Sequence, residues 1–342
     1  MKIIINAIVL LLLTTVIACK SGKDQDAQDA AQDSVATTAT ANSTTAELEE
    51  KLRQNPNSPS LLHDLAKAYI AEKRFEEALQ QMNKAIQLDS TQASFFLTMA
   101  DLSFAANRTY NAKQNLERAL MLDPVNVEAM LRLAELNLIV RKHGDSVDLL
   151  NKVLEIDNKN TTAWFMRGIN FKENGDTNKA VRDFQSAIEA DPEFYNAYMQ
   201  LGMIFQLRND PASEGYFTNA IRIKPNSEEA LYGRGLWYQD HNQLDKAIQD
   251  YTTIIQMNPR NRNAHFNLGY IHQIHLNIFP EAIKHYSRAI EADPRYAEAF
   301  YNRALCYEAV GNLDAAQSDF KSALMIRPVY PVAEQGLNRV KK

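Results

Sequence analysis

The sequence predicts an all-α solenoid of stacked helical hairpins, on three observations. Small residues recur with a period of 34 between Pro59 and Tyr330, at Ala66, Ala100, Ala134, Gly168, Gly202, Gly235, Gly269 and Ala304. Further small residues follow at fixed offsets, as in Ala66/Ala78/Ala85, Ala100/Ala112/Ala119, Gly168/Ala180/Ala187, Gly235/Ala247 and Ala304/Ala316/Ala323. Pro124, Pro192, Pro225, Pro259, Pro294 and Pro328 close units, with Ser90 and Asn158 in that place elsewhere. A fixed period this short means supersecondary units that each bury their apolar face on a neighbour. The 342 residues are 45% hydrophobic with only 11 Gly and 11 Pro, which supports a long helical core and argues against a β sandwich.

Residues 1–18 read as a signal peptide. Met1-Lys2 is a short basic start, and Ile3 to Ile17 is apolar, broken only by Asn6, Thr14 and Thr15. That run is too short for a comfortable membrane span. It ends in Val16-Ile17-Ala18-Cys19, which resembles the lipobox of bacterial lipoproteins. The resemblance implies cleavage before Cys19, lipid on its sulfur through a thioether, and a further acyl chain such as palmitate on the new amine. Several acyl chains give stable anchoring where one is marginal. Lys20 stands where an Asp favours inner-membrane retention in Gram-negative sorting, so the resemblance implies the outer membrane, on its periplasmic face or at the cell surface. Residues 19–46 then form a tether; after Cys19 they are mostly Ala, Asp, Gln, Ser and Thr, too polar to bury a core.

The solenoid is expected over 47–342, with units at 59–92, 93–126, 127–160, 161–194, 195–227, 228–261, 262–296 and 297–330. The fourth unit illustrates the logic. Ala163, Trp164, Arg167, Gly168 and Phe171 fall at helical spacing, Gly175-Asp176 breaks the pattern, and Ala180, Phe184, Ala187 and Ile188 resume it until Asp191-Pro192. Small side chains let the two helices of a hairpin approach closely. The fifth unit is one residue short around Asn209-Asp210-Pro211, and the seventh one long around Asn277-Ile278-Phe279-Pro280. Both changes are expected in the turn between helices. Caps are expected from Glu47 to Asn55, through Leu48 and Leu52, and over 331–342, with Val332, Leu337 and Val340 facing the stack.

Trp164-x-x-Arg167-Gly168-x-x-Phe171, Tyr198-x-x-Leu201-Gly202-x-x-Phe205 and Leu231-x-x-Arg234-Gly235-x-x-Tyr238 resemble the first-helix pattern of the tetratricopeptide (TPR) repeat. The resemblance covers about four fifths of the chain. It implies a right-handed superhelix whose first helices line a concave groove. Residues three before and one after each marker share a helix face, and in the family that face looks into the groove. In the first three units it carries His63, Lys67, Leu97, Asp101, Leu131 and Glu135. In the last five it carries Phe165, Ile169, Met199, Met203, Tyr232, Leu236, Phe266, Tyr270, Tyr301 and Leu305, an unbroken apolar and aromatic stripe. Gln200, Asn267 and Asn302 lie beside it, suited to gripping a peptide backbone. The face is a candidate site for a protein or peptide partner.

Other chemistry is sparse. No Walker loop, HExxH, G-x-S-x-G or CxxC occurs in the sequence. His265, His272, His275 and His285 crowd one unit, but His265 and His272 stand where the family packs aromatics, so they read as core rather than metal ligands. Cys306 reads as a packed thiol. Net charge is −5 with interspersed signs and no basic run, which argues against nucleic acid. The sequence therefore predicts no enzyme, cofactor or metal. It predicts a membrane-anchored scaffold or adaptor of the cell envelope. The alternatives are a structural subunit of an envelope secretion, pilus or outer-membrane assembly complex, and a cell-wall or glycan-binding lipoprotein.

Overall fold

The computed structural model describes residues 45–341, all of them in helices and short connections. The chain divides into two compact units, one ending at Ala129 and one beginning at Met130. The first unit contains α1 (45–54), α2 (Pro59–Ala71), α3 (Phe75–Leu88), α4 (Ala93–Ala105) and α5 (Thr109–Leu122). The division falls within α6 (Val127–Ile139). The second unit continues through α7 (His143–Ile156), α8 (Thr161–Glu173), α9 (Thr177–Ala190), α10 (Tyr195–Leu207), α11 (Ala212–Ile223), α12 (Glu228–Asp240), α13 (Leu244–Met257) and α14 (Arg262–Tyr270). It closes with α15 (Phe279–Ala292), α16 (Ala297–Ala309), α17 (Leu313–Ile326) and α18 (Pro331–Val340).

The eight markers sit where each first helix meets its second. Opposite them stand Met82, Leu116, Leu150, Phe184, Phe217, Tyr251, Tyr286 and Phe320, all with no exposed surface. Their sizes are matched. Ala66, Ala100 and Ala134 face Met or Leu, while Gly168, Gly202, Gly235 and Gly269 face aromatic rings. A methyl group on Gly168 would lie 2.7 Å from Phe184, and one on Gly235 2.8 Å from Tyr251. Ala304 is the exception beside Phe320, and there the missing space is supplied by Gly336 of α18, against which the ring lies. The second-helix small position is Ser in two hairpins. Ser146 Oγ donates to the Ala134 carbonyl at 2.7 Å, and Ser213 Oγ to that of Gly202 at 2.9 Å, so each hydroxyl is satisfied while fully buried.

Each hairpin turn has one residue in the left-handed region at the same register. These are Lys73, Asn107, Arg141, Gly175, Asn209, Asn242, Asn277 and Gly311, with φ between 53° and 86°. Gly and Asn adopt this conformation readily; Lys73 and Arg141 bear a steric cost.

The long seventh unit corrects the sequence expectation. Its turn keeps the ordinary length, with Asn277 left-handed, and the extra residue is taken up in the first helix as a π-turn over Ile271–His275. The Leu276 N–H donates to the Ile271 carbonyl five residues back, at 3.1 Å. A widened helical turn keeps its backbone hydrogen-bonded, whereas lengthening the turn would disturb the register of its left-handed residue. The short fifth unit loses its residue where the turn enters α11, between Asp210 and the buried Ser213.

Three first helices carry an Arg just before the marker. Arg167, Arg234 and Arg303 grip Asp183, Asp250 and Asp319 of the same hairpin through paired bonds of 2.7–2.9 Å. Each also donates Nη1 to the preceding second helix, at Asn151, Thr218 or Ser287. A planar guanidinium suits this fork and thus ties neighbouring repeats. At the ends, Leu48 and Leu52 of α1 pack on the core around Leu62 and Leu65. On α18, Ala333, Gly336, Leu337 and Val340 are buried, but Val332 is 43% exposed. Val332 therefore does not face the stack, because the buried face starts one residue later.

Gly168→Ala should lower unfolding stability by roughly 1–3 kcal/mol through overpacking. Adding Phe184→Leu should recover a large part, because Ala/Leu pairs already fill this position at Ala100/Leu116 and Ala134/Leu150; chemical denaturation of the single and double variants checks this. Arg141→Gly should raise stability by about 1 kcal/mol by removing left-handed strain at an exposed position, read as a higher denaturation midpoint at constant m-value.

Candidate partner-binding face of the first helices

The stripe residues form a half-sunken face. Phe165, Met199, Gln200 and Asn267 are buried; Ile169, Met203, Tyr232, Leu236, Phe266, Tyr270, Tyr301, Asn302 and Leu305 are half-buried; none is exposed. The aromatics rest on rings from their own repeat. Phe165 lies against Phe184 and Phe194 with ring centroids 5.6 and 5.2 Å apart, and Phe266 against Tyr286 and Tyr296 at 5.5 and 5.0 Å. Tyr301 is placed likewise on Phe320 and Tyr330, and Tyr232 on Tyr251. Each half-buried ring is thus fixed by packing and leaves one side toward solvent. In the first unit the corresponding positions are mixed, with Lys67 exposed and Asp101 half-buried. His63 and Leu97 are buried, and His63 Nε2 hydrogen-bonds Thr98 Oγ1 at 2.8 Å.

Polar groups missed by the stripe pattern lie among these rings. Lys172 Nζ donates to Gln200 Oε1 at 2.6 Å, and burial lowers the ammonium pKa. Glu135 is half-buried and Glu229 exposed, and desolvation raises both carboxyls. Asn267 is 7% exposed, and its Nδ2 is buried without a hydrogen-bond partner. The signal for the lysine and the two acids is a charge on a helix face otherwise apolar. For the missing partner of Asn267 no sequence signal exists, because it depends on where neighbouring hydroxyls point. Burial pushes the Tyr195 phenol up to about 12 and the Cys306 thiol up to about 12, so both stay protonated at neutral pH.

The histidines gather between α14 and α15. His265 Nε2 lies 3.1 Å from the Pro259 carbonyl and must donate to it, leaving Nδ1 to accept from His285 Nδ1 at 3.3 Å. His272 Nδ1 donates to the Leu268 carbonyl at 2.7 Å, and its ring stacks on His285. A His265 ring that donates through Nε2 and accepts at Nδ1 is neutral. Burial and the two flanking histidines hold His285 at about 4, and burial lowers His265 as well. His265 also floors a cleft of about 530 Å³ with Arg260, Arg288 and Glu291 on its walls. Among the described residues no group of three or more His, Cys, Asp or Glu is arranged to hold a metal ion, and no helix is long and apolar enough to cross a membrane. Cys19 and the apolar run before it lie outside the described residues.

A family profile described as tetratricopeptide repeat matches residues 97–161, 165–228 and 232–273, half of the chain. The chain belongs to the tetratricopeptide-repeat family. Related profiles match 38–94, 276–311 and 297–330. Among curated proteins, this TPR chain is similar to tetratricopeptide repeat protein 6 of Homo sapiens, 31% identical over 40% of the chain and 26% of that protein. It is also similar to serine/threonine-protein phosphatase 5 of Rattus norvegicus, 26% identical over 35% of the chain and 22% of that protein. The TPR chain spans about a quarter or less of the length of these relatives. Among solved structures, the C-terminal part of a TPR repeat-containing protein from Cytophaga hutchinsonii aligns with TM-score 0.61 and 17% identity, over 70% of this chain and 98% of that one. A tetratricopeptide repeat protein from Parabacteroides merdae aligns with TM-score 0.50 and 18% identity, over 73% and 99%. At these identities the likeness supports the fold alone.

The TPR histidines give a pH prediction. His265 and His285 have folded pKa values below the unfolded value of 6.5. Their contribution to stability is therefore complete above pH 6.5 and lost as pH falls from there toward about 4. Thermal unfolding across this window should show a falling midpoint, and His285→Gln should flatten the fall.

Proposed function

We propose that this chain is a lipid-tethered scaffold of the bacterial cell envelope that holds a protein or peptide segment against the first helices of its later repeats. The observation that carries the reading is the run of half-buried apolar side chains from Ile169 through Met203, Tyr232, Leu236, Phe266 and Tyr270 to Tyr301 and Leu305. Rings seated on a packed core present large contact area with little rotamer freedom left to lose. Regular helices leave no loop to order on binding, so the ordering cost falls on the partner. The site holds no arrangement of nucleophile, base and oxyanion donors, which favours binding over catalysis.

The tether rests on Val16-Ile17-Ala18-Cys19 and the polar stretch that runs from 20 to the start of α1 at 45. Lipidation at Cys19 would hold the repeats near the outer membrane while leaving them free to reach a partner. Lys20 supports the outer rather than the inner membrane.

Two measurements test the reading. A chain carrying Met203→Ala, Tyr232→Ala and Tyr270→Ala should lose at least about tenfold in partner recovered from envelope extracts, while keeping its circular dichroism spectrum; equal recovery by both chains sinks the groove assignment. Cys19→Ser should abolish incorporation of labelled palmitate and move the protein from the detergent to the aqueous phase, and unaltered partitioning removes the anchor.

A further inference from the structure

The seventh hairpin lacks the Arg–Asp tie of the fourth, sixth and eighth. Arg167 is flanked by the Trp164 and Phe171 rings, 4.7 and 5.9 Å to their centroids, and holds Asp183. Arg303 is flanked by Phe300 and Tyr307 at 5.6 and 5.8 Å and holds Asp319. In the seventh unit the Arg position is Leu268. The two ring positions are His265 and His272, and the Asp position, allowing for the extra residue of the π-turn, is His285. Imidazoles thus replace both flanking rings and the carboxylate.

The contact that takes the place of the tie depends on a single proton. The Nδ1 atoms of His265 and His285 are 3.3 Å apart and their ring centroids 5.7 Å. The difference is two ring radii, so the nitrogens meet head-on. That is the geometry of an N–H···N bond with one proton in the gap; a proton on each nitrogen sets two N–H groups against each other. His265 cannot turn its other nitrogen inward without giving up the Pro259 carbonyl. His272, stacked on His285 at 5.4 Å, places a third imidazole against the pair.

Nearby charges do not compensate. The carboxylates that act on the pair, Glu281 and Glu291, are held by Lys284 and Arg288 of the same helix, α15. Arg303 of α16 reaches α15 at Ser287 and is committed to Asp319. Ile255 of α13 and Arg260 of the following turn line the cleft beside His265. The next residues along the same two helices, Phe266 and Tyr286, form the ring contact on which that part of the candidate face rests, with centroids 5.5 Å apart.

We propose that the seventh hairpin is an acid-released joint: a second proton on the His265–His285 pair parts α14 from α15 and loosens the stretch of face carried by Phe266 and Tyr270, while the Arg–Asp-tied hairpins on either side stay closed. A guanidinium keeps its charge throughout this range, so the tied hairpins lack the proton dependence of the imidazole pair. Release of a bound partner in acid is a consequence that rests on the scaffold reading above; the joint itself does not.

Hydrogen exchange of the free full chain, read by mass spectrometry at pH 7 and at about pH 4 and corrected for the intrinsic pH dependence of exchange, tests the joint. Amides of α14 and α15 should lose at least about tenfold in protection relative to those of α8 and α9. His285→Gln, whose amide can turn to donate or to accept, should remove the relative loss. Leu268→Arg combined with His285→Asp writes the tie of the neighbouring hairpins into the seventh and should remove it as well, so a poorly folded single variant does not leave the question open. An equal change in all hairpins, or the same relative loss in both variants, overturns the proposal. Either result leaves the scaffold reading standing, because no partner takes part.

Discussion

Everything in this molecule depends on how closely the two helices of each hairpin can approach. At one position per repeat the first helix offers a hydrogen or a methyl, and the second helix fills the space with a side chain that has no exposed surface. The match is made pair by pair: Ala with Met or Leu, Gly with Phe or Tyr. Because interiors are packed like crystals, an extra methylene has nowhere to go. The Ala304–Phe320 pair keeps the rule by borrowing space from Gly336 in the closing helix. One consequence is that the terminal helix is part of the last hairpin's packing as well as a polar cover.

The same crossing places the candidate binding face. A ring buried between the helices is the floor on which the first-helix aromatic of that repeat rests, as Phe184 carries Phe165 and Tyr286 carries Phe266. The later repeats, where the marker is mostly Gly and the floor aromatic, are also those whose first-helix face is aromatic, except the fifth, which presents Met199 and Met203. Core and face are therefore linked: enlarging the floor ring requires a smaller marker and gives the surface ring a tilted aromatic neighbour to rest on. Arg167, Arg234 and Arg303 add polar ties between neighbouring repeats without occupying that face.

The fold was legible because its signal repeats. Each marker alone is a small residue in a helix; eight at fixed spacing are a packing rule. Features that do not repeat as letters were harder to read. The left-handed turn residue is Gly in only two hairpins, so the shared backbone geometry hides behind Asn, Lys and Arg. Ser146 and Ser213 hold the second small position through hydroxyl-to-carbonyl bonds that a search for Ala passes over. The extra residue of the seventh repeat looked like a turn insertion because insertions there are cheap, but the π-turn absorbed it. The alternation of Arg167/Asp183, Arg234/Asp250 and Arg303/Asp319 was visible in the sequence, and it acquires meaning only once the two helices are seen to cross. For the candidate face, the sequence located the residues and left their exposure open. Their half-burial comes from rings contributed by distant positions such as Phe194, Tyr296 and Tyr330.

The central claim is that a partner covers the first-helix face. Hydroxyl-radical footprinting of the full chain, free and bound to a recovered partner, tests it with internal controls. Met203, Tyr232 and Tyr270 should lose reactivity on binding, while Met121, Met325 and Tyr110, which are 71%, 84% and 71% exposed on second helices, should not. Protection of the second-helix residues with unaltered reactivity at Met203, Tyr232 and Tyr270 would contradict the account.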